Sequence, residues 1–251
     1  MKEITKKYKN FLFFLKKKID VDEIKYSKKS LNDLFNYFGT DKGSSVINPY
    51  SNESMEKHGH GFAKYYEKKL KKFKNCHFNM LEIGTWEGAS TAAFVNFFPN
   101  SKIIGIDKNF KFKFKSKRID FFNCDVTNIK DLYKFSSRFN NNFFSIIIDD
   151  ASHFLTHMIL SLKFFFKYLD NGGYFIIEDF NAHSYFQDLN DSDDSEIPMK
   201  EILSNITKKK KFKSKILSSK DQEYLFENIS GIHLYKGKTK ISDIAFIKKC
   251  G

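Results

Sequence analysis

Arginine is nearly absent. Only Arg118 and Arg138 occur among 43 basic residues, although the formal net charge is +13. A charge of that size suggests a polyanionic partner. Guanidinium, however, is the group suited to bidentate contacts with phosphates and base edges. An excess made almost entirely of lysine therefore argues against a nucleic-acid reader, and the accompanying wealth of Lys, Asn, Ile and Phe is what AT-rich codons supply. The excess remains compatible with an anionic small molecule such as a nucleotide-linked sugar. Cysteine is scarce too. Cys76, Cys124 and Cys250 lie far apart, odd in number and without metal-ligand spacing, which excludes a disulfide framework and fits a reducing compartment. No apolar run approaches the roughly 18 residues that span a bilayer. The apolar segment Phe11–Leu15 closes at Lys16–Lys18 with no small-residue cleavage site. The expectation is a cytoplasmic protein with no stable membrane insertion.

What is present is a change of pattern near residue 75. Residues 1–74 read as an N-terminal helical extension or cap, and 75–251 as the main domain. Within the extension, residues 1–30 form a lysine-rich amphipathic stretch that packs on the main domain or on a second subunit, which leaves a homo-oligomer open. Membrane-surface docking through Phe11, Phe13 and Phe14 is the weaker alternative. Ser30 caps a helix that Gly39 stops, and a second helix follows around 61–73. From residue 78, short β-type runs at 79–84, 102–107, 119–126, 144–150 and 173–179 alternate with helical stretches. That alternation predicts an α/β fold with a parallel sheet covered on both faces. The segments "SGIHLYKG" and "ISDIAFIKK" predict an antiparallel hairpin at its edge.

In such a sheet, chemistry collects outside the carboxyl ends of the strands. Every predicted strand ends in acid: Glu82, Asp107, Asp125, Asp149–Asp150 and Glu178–Asp179. The turn "LEIGTWEGAS" puts Gly84 and Gly88 where a backbone can approach a ligand closely. It lacks G-x-G-x-x-G, because Thr85-Trp86 stand where a second glycine is needed. Glu82 there repels a pyrophosphate but suits a cationic sulfonium ligand, and Asp107 suits both hydroxyls of a ribose.

The stretch "SIIIDDASHFLTH" (145–157) buries isoleucines and then exposes two aspartates, with His153 three residues beyond the second. Asp150, Glu178 and Asp179 leave neighbouring strands at one edge, where three carboxylates repel unless protons or a cation compensate them. Oxygen-only donors favour a hard ion, Mg²⁺ or else Mn²⁺ or Ca²⁺. His153 is near enough to take a proton from a hydroxyl that such an ion acidifies. Asp149 either caps the next helix or contacts the cofactor. His153 and His157, at i and i+4, could instead bind zinc; a hydrogen-bonded structural role suits His157 better. The acidic run 188–196 reads as a solvated lid, and His58 as a surface residue.

The E-x-G-x-x-x-G turn, the Asp107 strand end and the terminal hairpin resemble the Rossmann-like S-adenosylmethionine-dependent methyltransferases. "D-D-x-S-H" followed by "E-D", with "YFGTDKG" and "HGFAKYYE" upstream, resembles their metal-dependent sugar O-methyltransferases of the mycinamicin and macrocin type. The similarity covers about residues 31–181 and the hairpin, and Phe62 stands where that family has tyrosine. The resemblance implies a seven-stranded, mostly parallel sheet. By it, Gly84 lies against the methionine of S-adenosyl-L-methionine, Asp107 holds the ribose and Asp125 lies near the adenine amine. It further implies Mg²⁺ or Mn²⁺ on Asp150, Glu178 and Asp179, His153 as general base, and a sugar or nucleotide-sugar acceptor in surface-polysaccharide or natural-product synthesis. The rivals are a methyltransferase for a catechol or other small diol, a cofactor-binding scaffold without turnover, and a nucleic-acid methyltransferase.

Overall fold

The computed structural model describes residues 17–24, 30–47, 56–109, 111–191 and 195–251. Phe11, Phe13 and Phe14, and positions 192–194 of the acidic run, lie outside the described residues.

Seven strands make one sheet: β1 (Phe78–Ile83), β2 (Ser101–Asp107), β3 (Ile119–Asn123), β4 (Phe144–Asp149), β5 (Leu169–Glu178), β6 (Ile229–Lys236) and β7 (Asp243–Lys249). Their order is β6-β7-β5-β4-β1-β2-β3. Strands β1 to β5 pair in parallel, and β7 runs antiparallel to both β5 and β6. The sheet and its terminal hairpin match the expected Rossmann-like architecture. Two boundaries moved by three residues or more. Strand β3 stops at Asn123 because Asp125 Oδ1 takes the Thr127 N–H and Oγ1–H, forming a turn. Strand β5 starts at Leu169 because Gly172 (φ +70°) and Gly173 let it bulge past β4, where the pairing register shifts.

Side-chain alternation assigns each face. Met80, Ile146, Ile148 and Ile176 point to one core; Leu81, Ile147, Phe175 and Ile177 point to the other. The first core is covered by α1 (Leu31–Phe38), α2 (Ala63–Leu70) and α3 (Ala89–Phe97). The second is covered by α4 (Ile129–Ser136), α5 (Leu155–Phe165), α6 (Met199–Thr207) and α7 (Ser219–Asn228). Helix α1 shows why the sequence folds this way. Leu31, Leu34, Phe35 and Phe38 fall on one stripe and are all buried. Ser30 Oγ accepts the Asp33 N–H at 3.1 Å, and Gly39 (φ +78°) ends the helix. Each such apolar side chain contributes about 1.5–3 kcal/mol by leaving water. Phe35 meets Tyr66 of α2 and Phe94 of α3 edge-on, with ring centroids 6.1 and 5.2 Å apart.

The chain runs β1, β2, β3 outward in one direction and then crosses back to β4 on the other side of β1. The strand order therefore reverses between β1 and β4. A crevice opens at such a reversal, outside the carboxyl ends of the strands.

Candidate active site

A cavity of about 700 Å³ lies at that reversal, within the size range of small-molecule sites. Gly84, Asp107, Asp125, Asp150 and His153 are among its lining residues. Gly84 adopts φ +85°, and a Cβ there would strike the Asp150 carbonyl oxygen and Ala151 Cα. Only glycine lets the β1–α3 turn pass this close to the end of β4. Asp107 accepts the Trp86 N–H at 2.9 Å and the Asn109 N–H at 2.7 Å, which aims its carboxylate at the cavity mouth. Burial raises its pKa despite those bonds. At Asp125 burial also raises, but the two bonds from Thr127 outweigh it and hold the carboxyl below its ordinary value.

Across the cavity is the acidic edge. Asp150 and Glu178 leave adjacent strands, and the Lys42 ammonium bridges Asp150 Oδ2 and Glu178 Oε2, the latter at 2.9 Å. The Tyr66 hydroxyl donates to Glu178 Oε1. His60 Nδ1 stands 3.1 Å from Asp179 Oδ1 and 2.9 Å from Ser242 Oγ. Backbone bonds from His60 N to Asp41 O (2.6 Å) and from Phe62 N to Lys42 O (2.9 Å) hold the two basic residues side by side. His153 Nε2 is 3.6 Å from Asp150 Oδ1, on the cavity side. His153 (φ +57°) and Asp179 (φ +49°) both hold left-handed backbone that bulky residues rarely adopt.

The charges do not balance within this cluster. Burial, reinforced by the Asp150 charge, pushes the Glu178 carboxyl up to about 8. Lys42 is likewise raised well above its ordinary value, because Asp150 and Glu178 overcome the burial that would lower it. One ammonium among three carboxylates leaves the edge short of positive charge. Burial lowers His60, but the adjacent Asp179 carboxylate, with the charges of Asp41 and Glu178, more than reverses this and raises it to about 9.

Several expected residues lie behind the cavity wall rather than on it. Strand alternation turns Glu82 under α3, where Thr91 Oγ1 donates to Oε2, and Oε1 is left buried without a hydrogen-bond partner. Gly88 (φ +88°) packs against the Phe121 ring. Asp149 neither lines the cavity nor caps α5, whose cap is Phe154. The same alternation turns Asp149 beneath α5 toward Ser161, and burial raises its carboxyl to about 7. Glu178 and Asp179 are also set back, reaching the site through Lys42 and His60. The zinc alternative fails on geometry, because His153 precedes α5 and shares no helical face with His157. His157 instead bonds Ser152 Oγ at 2.6 Å. His58 is exposed and lines the cavity, while Cys124 is buried on its wall. Asp191, from the acidic run, accepts the Thr156 N–H at 3.1 Å at the start of α5.

The cavity fits a sulfonium nucleoside in kind, with a glycine cradle at Gly84 and a ribose-type acceptor at Asp107. The acidic edge offers hard oxygen donors, as Mg²⁺ prefers. Among the described residues, no three His, Cys, Asp or Glu side chains are grouped around one point as a metal requires. The Lys42 ammonium stands between Asp150 and Glu178 and bridges them. Lys42, His60 and Tyr66 were not assigned roles from the sequence. Their signal lay in "YFGTDKG" and "HGFAKYYE", segments without strand periodicity or a metal-ligand pattern.

No model of a known protein family matches the chain. Mycinamicin VI 2''-O-methyltransferase of Micromonospora griseorubida is 30% identical over 127 residues, 48% of this chain and 31% of that protein. Demethylmacrocin O-methyltransferase of Streptomyces fradiae is 26% identical over 240 residues, 89% of this chain and 54% of that protein. The chain thus spans about half, or less, of the length of these relatives. Among solved structures, the MycE methyltransferase of mycinamycin biosynthesis, in complex with Mg and SAH, superposes with a TM-score of 0.67 at 24% identity. That match covers 89% of this chain and 56% of that one. Among the described residues, no helix is long and apolar enough to cross a membrane. The fold is that of the Rossmann-like S-adenosylmethionine methyltransferases, and in sequence the chain is a relative of the O-methyltransferases of the mycinamicin and macrocin type.

Proposed function

We propose that the chain transfers a methyl group from S-adenosyl-L-methionine to a hydroxyl of a sugar, nucleotide-activated or glycan-linked, with a divalent metal at the acidic edge. One observation carries the reading. A single cavity joins the Gly84–Asp107–Asp125 side, suited to the cofactor, with the Asp150–His153 side, suited to proton removal. The relatives named for O-methylation of mycinamicin VI and of demethylmacrocin support an acceptor hydroxyl on a compound of that kind.

Asp150, Glu178 and Asp179 would hold Mg²⁺ or Mn²⁺, which lowers the pKa of a hydroxyl bound to it. The chain's own part is orientation and proton transfer. Asp107 would hold the ribose, and the Gly84 turn would lie against the methionine part. Lys42 and Tyr66 hold the Glu178 carboxylate, and His60 holds that of Asp179. His153, 26% exposed on the cavity side, accepts the acceptor hydroxyl's proton, and the Asp150 carboxylate, 3.6 Å from Nε2, stabilises the imidazolium that forms. Holding acceptor and cofactor together in one cavity would supply much of the acceleration.

Calorimetry should show S-adenosylhomocysteine binding, and labelled S-adenosylmethionine should transfer its methyl to a member of a panel of sugars and nucleotide sugars. His153→Ala should lower kcat by about 10²–10⁴-fold with cofactor affinity unchanged. Binding of NAD in place of S-adenosylhomocysteine would end the reading. Full turnover in His153→Ala, with methyl transfer rate-limiting, would remove the base.

A further inference from the structure

Lys42 is 1% exposed. A buried ammonium costs several kcal/mol unless carboxylates compensate it, and here two do so from neighbouring strands, 108 and 136 residues further along the chain. The backbone that carries the lysine is held in place. Gly39 ends α1 three residues before it, and its carbonyl is pinned by the Phe62 N–H at 2.9 Å. Tyr66 ties the other oxygen of Glu178, so that carboxylate is held from two sides.

We infer that Lys42 is a built-in counter-ion that competes with the divalent metal for Asp150 and Glu178, and so sets how tightly the metal is held. The inference rests on the metal reading of the acidic edge. With the ammonium in place the carboxylates do not group around one point. A metal that gathers them must loosen their bonds to Lys42 and then tolerate a fixed positive charge beside it. Two consequences follow. The acidic edge stays folded without metal, since Lys42 and His60 stand in for part of the missing charge. The metal is also held more weakly than three carboxylates alone would hold it, which keeps it exchangeable between turnovers.

Lys42→Gln keeps hydrogen-bond donors and removes the charge. In the full chain, Mn²⁺ and Mg²⁺ affinities of wild type and variant are measured by calorimetry, and melting temperatures in excess chelator and in saturating Mg²⁺. The variant should bind metal at least about ten-fold more tightly. It should melt below wild type in chelator and recover most of that loss with Mg²⁺. Unchanged or weaker metal affinity in the variant overturns the inference while leaving the metal reading intact. A wild type that takes up no metal, yet still binds S-adenosylhomocysteine, removes the metal reading and the inference with it. Should Lys42→Gln fail to fold, ¹⁵N-lysine labelling of the wild type reads the same event. The protected Lys42 ammonium resonance should shift on saturation with Mg²⁺, and a resonance that metal leaves in place overturns the competition.

Discussion

At the scale of single residues, the acidic edge is a set of paired charges whose balance depends on pH. His60 is the clearest case. Its folded value of about 9 lies above its ordinary 6.5, so its pairing with Asp179, Asp41 and Glu178 stabilises the fold fully below about pH 6.5 and is lost as pH rises through about 9. The shift corresponds to roughly 3 kcal/mol at most. In metal-free buffer, denaturant unfolding should show His60→Gln well below wild type at pH 6 and nearly equal to it at pH 10. A gap that stays constant across that range would assign His60 a packing role, through Phe62 at 5.1 Å, instead of a charged one. The candidate residues that the sequence could offer were those that a strand delivers: Asp107, Asp150, Glu178 and Asp179 stand at the ends of apolar runs. Lys42, Tyr66 and His60 come from helix ends and loops far upstream, and nothing in their local pattern marks them as facing carboxylates. Asp149 was misjudged because strand alternation, not sequence adjacency to Asp150, decides which side of the sheet it faces.

At the scale of elements, short apolar runs were enough to find the parallel strands, because most of them are buried on both faces. Turn chemistry set the ends less visibly. The Asp125–Thr127 turn cut β3 short, and the Gly172–Gly173 bulge lengthened β5. The β1–α3 turn is the element on which the proposed cofactor side depends. In Gly84→Ala the left-handed φ and the clash with Asp150 O and Ala151 Cα together force β1 and β4 apart at their carboxyl ends. S-adenosylhomocysteine affinity should fall by at least about ten-fold, since a shift of 1 Å at such a site costs that much or more. The melting temperature should fall as well. Unaltered affinity in Gly84→Ala would mean that the turn relaxes away from the ligand and does not cradle it.

At the scale of the whole molecule, the helices before residue 75 share a core with the sheet. Phe35, Tyr66 and Phe94 form one aromatic cluster, and the Tyr66 hydroxyl reaches from it to Glu178. Packing under α1 is thereby connected to the acidic edge. Phe35→Ala should destabilise the fold by about 3–5 kcal/mol and also weaken metal-induced stabilisation, read as a smaller rise in melting temperature with Mg²⁺. A variant that loses stability but keeps the full metal effect would show the aromatic cluster and the site to be independent. Among the described residues, the non-glycine positions with positive φ are Trp86, Asn142, His153, Asp179 and Lys209, and three of these border the cavity or its acidic edge. That placement bears on how variants of this chain should be chosen. Alanine at His153 or Asp179 removes a functional group and also releases a twisted backbone, so a conventional scan records two losses as one. Asparagine tolerates the left-handed region, and a His153→Asn or Asp179→Asn partner for each alanine variant separates the lost chemistry from the lost geometry.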